Sequence, residues 1–276
     1  MNSAVSSRLK DRARTRKQVD NIYDNAVRAY IVHYSCESFY DNAGGGSKRV
    51  TSIAVRNLNS AQTKSWSIHK SAELLGFLDV ISEHLDELEF HMLNGYFEFL
   101  RLHHDCTFVH WNMRDENYGF AALEHRFRVL AGEPFTLSDE RKVDLARVLV
   151  NLYSRSYASH TSPSGKKGRI MSIMEVNKIA DLDALQGNEE AEAFVHGEYL
   201  KLHRSTLRKV DVFANLFDRV HAKTLKTQAG FLDIYGVHPT ALFQAAKDHW
   251  ILSLIAVLSG LTSAVLNFSR LAAWFK

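Results

Sequence analysis

The chain has 276 residues, of which 46% are apolar and 24% charged, with only three prolines. That is enough apolar sequence to bury a core and too little proline for long structureless linkers, which excludes a fibrous or wholly disordered chain. The net charge of +3 is the balance of 34 basic and 31 acidic residues, so its distribution says more than its size. Arg8, Lys10, Arg12, Arg14, Arg16 and Lys17 crowd the first residues, and Lys166, Lys167 and Arg169 form a second basic stretch. Each is read either as solvated surface or as a contact for nucleic-acid phosphates or anionic lipid.

Two cysteines, Cys36 and Cys106, cannot build a disulfide framework, and no paired-cysteine zinc spacing occurs. The first residues lack the apolar stretch of a secretory signal. A reducing cytosol is the expected setting.

In chain order, residues 1–21 show little apolar periodicity and read as a disordered or helical basic arm. Residues 30–34 (YIVHY) are a β-branched and aromatic run that suits a buried strand. The glycines at 44–46 follow in a loop, without the Lys-Ser/Thr of a phosphate loop. Residues 51–58 and 63–69 read as a second and third strand, making a meander with the first. Residues 71–104 carry helical periodicity, with Gly95 as a candidate break. Residues 107–111 (TFVHW) read as a fourth strand and 117–130 as a helix. Residues 141–153 form a helical or mixed segment, and helices are expected over 171–185 and 197–220. Three strands, helix, strand and helix, followed by mostly helix, give an α/β pattern. The organisation expected is a basic arm (1–21), one α/β domain (22–222), a connecting helical segment (223–249) and an apolar helix (250–269).

That last segment, from Trp250 to Phe268, is a run of nineteen residues (WILSLIAVLSGLTSAVLNF) with no charged side chain. Its length just meets the roughly 20 residues that a membrane helix needs. Trp250 and Trp274 lie where interfacial anchors would, and Ser253, Ser259 and Gly260 suit helix packing. It reads as a tail anchor holding a cytoplasmic domain to the inner face of a membrane, or as a helix that packs in a homo-oligomer.

Six segments then line up in an order of their own. They are residues 30–39 (YIVHYSCESF), the meander 51–69, residues 108–120 (FVHWNMRDENYGF), residues 142–147 (KVDLAR) with 171–179 (MSIMEVNKI), and residues 203–217 (HRSTLRKVDVFANLF). Over about 190 residues this resembles the DEDD family of 3′–5′ exonucleases. The resemblance implies an RNase H-like mixed sheet, a three-stranded meander plus parallel strands, with flanking helices. It also implies carboxylates that hold two Mg²⁺ or Mn²⁺ ions, one activating water and the other stabilising the leaving oxygen. Carried over by position, the metal ligands would be Glu37, Asp115 and Asp211, with His203 completing the catalytic set. His110, Asn112, Lys166, Lys167 and Arg169 would contact the nucleic acid.

The departures from the family pattern are specific. The first family Asp falls on Ser35, which brings no negative charge; Asp41 substitutes only if the strand ends early. The second acid is Asp115 by its distance from His110, or Asn117 by its place before Tyr118, with Glu116 between them. His203 lies eight residues before Asp211, and Thr206 stands at the usual spacing of about five. Plainer roles exist for each: Glu37 in a surface turn, His110 in the core, Asp115 as a helix cap, Asp211 paired with Arg208 or Lys209. The resemblance thus implies an exonuclease-like protein that acts on or binds single-stranded nucleic acid. The alternative is a non-catalytic nucleic-acid or nucleotide sensor coupled to a C-terminal membrane helix, as in a bacterial antiviral defence effector.

Overall fold

The structure, a computed structural model, describes residues 2–38, 47–114 and 116–235. The glycines at 44–46, Asp41, Asp115 and the apolar segment 250–268 lie outside the described residues. Among the described residues no helix is long and apolar enough to cross a membrane.

Five strands form one mixed sheet: β1 (Ala29–Cys36), β2 (Val50–Asn57), β3 (Thr63–Ser67), β4 (Thr107–His110) and β5 (Lys142–Asp144). The order across the sheet is β3-β2-β1-β4-β5. β1, β2 and β3 make an antiparallel meander, whereas β4 runs parallel to β1 and β5 parallel to β4. The fold class is therefore α/β with a mixed sheet and flanking helices.

Strand pleating sends alternate side chains of β1 to opposite faces. Val32, Tyr34 and Cys36 pack with Ile53 and Phe108 under α3 (Leu85–Leu102) and α4 (Phe120–Val129). Ala29 and Ile31 face the other way, into a core shared with α1 (Asn2–Asp24), α5 (Leu145–Tyr153) and α8 (Tyr199–His221). His33 and Ser35 belong to this second face by the same alternation.

The expected long helix over 71–104 is two helices. α2 (Ile68–Leu75) ends at Gly76, whose φ of +79° is a left-handed cap that glycine adopts without strain. Gly95, the candidate break, lies inside α3 instead. It is small because Trp66 packs on it: a Cβ there would meet the indole Nε1 at 2.7 Å. The expected helix over 171–185 stops earlier, as α6 (Arg169–Val176). Asn177 ends it, donating its side-chain amide to the carbonyls of Ile173 (2.9 Å) and Lys226 (2.8 Å).

The basic arm is a 23-residue helix. It buries Leu9, Arg12, Thr15, Val19 and Ile22, a stripe of helical spacing in which two members are polar. Arg12 Nε donates to the carbonyl of Leu152 (3.0 Å), and Thr15 accepts from Asn151 (3.1 Å). Val19 and Ile22 complete the core between α5 and α8.

On the opposite face, the fully buried Glu89 of α3 ties the start of β2 to α4. Its Oε1 accepts from the Val50 amide (2.7 Å) and Arg126 Nε (2.9 Å); its Oε2 lies 2.8 Å from Arg49 and 2.6 Å from Arg126. Removing one partner of a buried ion pair strands the other charges. Glu89→Ala is therefore expected to destabilise the fold by about 3–5 kcal/mol, read as a fall in the urea midpoint with the slope unchanged. A loss below about 1 kcal/mol would refute the role given to Glu89.

Candidate functional site

The buried face of α8 is apolar along most of its length, at Leu202, Val210, Phe213, Leu216, Phe217 and Val220. One turn of that stripe is polar: Ser205, Thr206 and Lys209. It lies against Ser35, the next-to-last residue of β1, and Ser52, its partner on β2. Polar groups this deep need partners, and α7 (Gly187–Val195) supplies one in Glu190, which is fully buried. Glu190 Oε1 accepts from Ser35 Oγ (2.9 Å) and Ser205 Oγ (2.8 Å), and Lys209 Nζ lies 2.7 Å away. Thr206 Oγ1 bonds Ser35 Oγ at 2.8 Å and Ser52 Oγ at 2.5 Å. The charges cancel, and the hydroxyls bind one another.

His33 stands two residues before Ser35, buried, edge-on to the Phe213 ring at 5.2 Å. Burial, and secondarily the Lys209 ammonium, hold its pKa well below the ordinary range, so the ring is neutral. Tyr118 donates its hydroxyl to the Tyr34 carbonyl (3.0 Å), so the 3.2 Å contact from His33 Nδ1 has the imidazole as donor. Tyr118 also stacks on Tyr34, with centroids 4.5 Å apart, which fastens the segment after β4 onto β1.

Of the sequence-derived acids, Glu37 and Asp211 are among the described residues, and neither is hydrogen-bonded to Ser35. Glu37 follows β1, its amide bonded to the Arg49 carbonyl (2.9 Å). The Asp211 carboxylate pairs with Arg56 at 3.0 Å, and Arg56 stands opposite Ile31 in the β1–β2 register. Ile31 and Glu37 are six positions apart along the chain, about 20 Å at ~3.3 Å per strand residue, so the Arg56 pairing draws Asp211 toward the end of β1 opposite Glu37. The pairing expected of Asp211 with Arg208 or Lys209 is replaced by the one with Arg56. His203 reaches Ser65 Oγ on β3 (2.9 Å) and is held neutral, its pKa lowered to about 4 by burial, with Lys70 and His69 adding to the effect. Asp115 lies outside the described residues. Among the described residues, no cluster of three His, Cys, Asp or Glu side chains is placed to hold a metal ion.

His110 and Asn112 do meet a carboxylate, that of Asp144 at the end of β5. His110 and Asp144 are neighbours in register. Asp144 Oδ1 caps α5 at the Ala146 amide (3.0 Å) and accepts the Asn112 amide (3.0 Å); Arg114 Nε lies 2.7 Å from Oδ2. Asn112 reaches this position with a left-handed φ of +57°, which asparagine tolerates better than most residues. His110 Nδ1 accepts the Met113 amide (3.2 Å), so the neutral ring carries its hydrogen on Nε2. Burial lowers the His110 pKa to about 4 in spite of the nearby Asp144 charge. The second basic stretch is partly committed to internal contacts. Lys166 pairs with Asp181, the Arg169 guanidinium lies 5.3 Å over the Tyr157 ring, and Lys167 is exposed.

Sequence reading missed Glu190 and Asp144 as site members. Asp144 carried a cap signal, an Asp directly before an apolar helical run. Glu190 carried none, because its partner Ser35 is 155 positions away. No family model, curated protein or solved structure matches the chain.

Two measurements test this electrostatic account. Lys209→Ala alone strands the buried Glu190 and is expected to cost about 3–5 kcal/mol, while the double change Glu190→Leu with Lys209→Met recovers most of the loss. Additive losses in a denaturation cycle would show that the two side chains do not act as a pair.

His33 and His110 are buried neutral, with folded pKa values below the unfolded value of about 6.5. Their stability contribution is complete above pH ~6.5 and falls as pH drops below it, for His110 toward about 4, by up to about 1.4 kcal/mol per pH unit for each. His110→Asn should flatten the fall of the denaturant midpoint over that window; an unchanged slope would exclude His110 as a source.

Proposed function

We propose that the chain is a non-hydrolytic module of RNase H-like architecture that binds single-stranded nucleic acid. A meander followed by two strands parallel to β1 is the arrangement that the resemblance to DEDD exonucleases implies, and the strand order β3-β2-β1-β4-β5 supports it. The observation that carries the non-hydrolytic reading is the occupant of the first acid position. Ser35 is fully buried there, hydrogen-bonded to Glu190 and Thr206, with the Lys209 ammonium 2.7 Å from the same carboxylate oxygen.

Two-metal hydrolysis needs two divalent cations a few ångströms apart, compensated by several carboxylates. Around Ser35 one carboxylate is already neutralised by a fixed cation. Among the described residues, a divalent ion within hydrogen-bonding distance of Ser35 would have to displace Lys209 and rely on Glu190. The exposed cations of α1, Lys10, Arg14 and Lys17, support a polyanionic partner.

The test uses 3′-labelled single-stranded DNA and RNA with Mg²⁺ or Mn²⁺. The expected result is an intact strand, with an affinity by fluorescence anisotropy that is the same in EDTA as in Mg²⁺. Metal-dependent shortening of the strand that disappears in Glu37→Ala would overturn the reading.

A further inference from the structure

Between α1 and the β5 edge of the sheet runs a trough made of two hollows, about 570 and 620 Å³, that share Arg14, Gln18 and Val143. Along α1 it reaches from Asp11 to Asn25, about 21 Å at ~1.5 Å per helical residue. The lining includes the acids Asp11 and Glu140 and the cation Arg141, none of them in an ion pair among the described residues; its other charges fall into two groups. Arg28 is paired with Asp105 (3.1 Å), Lys142 with Asp139 (2.9 Å) and Arg114 with Asp144 (2.7 Å). Arg14, Lys17 and Arg147 are exposed and have no acidic partner among the described residues.

We infer that this trough is the track for the phosphodiester backbone of a single strand, with Arg14, Lys17 and Arg147 as phosphate contacts. The inference rests on the nucleic-acid reading above and adds a location and a mode of contact. Three observations favour this occupant. The trough is long and open-ended, which suits a linear polyanion better than a compact ligand. Three of its four unpaired cations among the described residues, Arg14, Arg141 and Arg147, are arginines, whose planar forks match phosphate oxygens in pairs. Its aromatic ring, Phe120, is buried, with the Lys142 ammonium 5.2 Å from the ring centre, so the ring is no platform for a base. A strand held by its backbone and without base stacking is bound with little regard to sequence. His110 adds a neutral Nε2–H donor to the inner hollow.

The test is anisotropy with a labelled 20-mer over a NaCl series, using the full chain. Each lost phosphate contact should reduce the slope of log K against log salt by about 0.7 for a single strand. Lys17→Ala should therefore lower the slope by about 0.7 and Arg14→Ala with Arg147→Ala by about 1.4, the double variant also losing affinity at low salt by about tenfold or more. Lys166→Ala with Lys167→Ala should leave the slope as it is, and oligo-dA, oligo-dT and mixed sequences should bind alike. All three altered trough residues are exposed, so thermal midpoints should match the unaltered chain.

Unaltered slopes in the trough variants, with the parent chain still binding, would overturn the track alone and leave the proposed function standing. A parent chain that does not bind the strand would overturn both. Variants that lose binding to phosphatidylserine vesicles but keep oligonucleotide binding would reassign the trough to an anionic lipid surface and overturn the inference.

Discussion

A lysine ammonium and a glutamate carboxylate, both withdrawn from water, sit where α8 crosses the centre of the sheet. Withdrawing each ion costs several kcal/mol. The cost is offset on one oxygen, because Glu190 Oε1 accepts two hydroxyls and faces Lys209 at 2.7 Å, with the hydroxyls of Ser35, Ser52 and Thr206 bonded beside it, while Oε2 has no hydrogen-bond partner among the described residues. Much else depends on that arrangement. It fixes α7 over the end of β1, lets the one polar turn of α8 stay in an otherwise apolar contact, and keeps His33 neutral beside it. It is also the ground of the proposed non-hydrolytic function, because Glu190 is neutralised by Lys209.

In the meander, β1 and β2 were legible as runs rich in β-branched or aromatic residues, and β3 by its alternation after a turn. β5 was harder, since three residues carry too little pattern before α5 begins at Leu145. The first helix was obscured for a different reason. Its buried stripe includes Arg12 and Thr15, so periodicity counted on apolar residues alone breaks off midway. The two glycines show the limit of local rules. Gly76 ends a helix through its own backbone angle, while Gly95 is small to make room for Trp66, a neighbour only in three dimensions.

The same division holds for the candidate site. Ser35 and Thr206 were locatable by their place in an ordered set of segments, and they do touch, at 2.8 Å. The partner that decides their role was not. Glu190 is one acid in an ordinary amphipathic helix, and only the folded chain brings it under β1. Asp211 illustrates the converse. Its spacing along α8 placed it near the first acid position, but the helix axis carries it toward the other end of β1, where Arg56 takes it.

The placement of α1 bears on the order of assembly. The helix is synthesised ahead of the residues that seat it, since Arg12 docks on Leu152 and Tyr235, and Arg16 on Val220. Its seat does not exist until some two hundred further residues have been made. Closing so long a loop is slow relative to local contacts, so the early helix waits, charged and soluble, while the sheet forms. A sequence rich in arginine and poor in apolar residues suits that interval, because it exposes little that could aggregate before its seat is built.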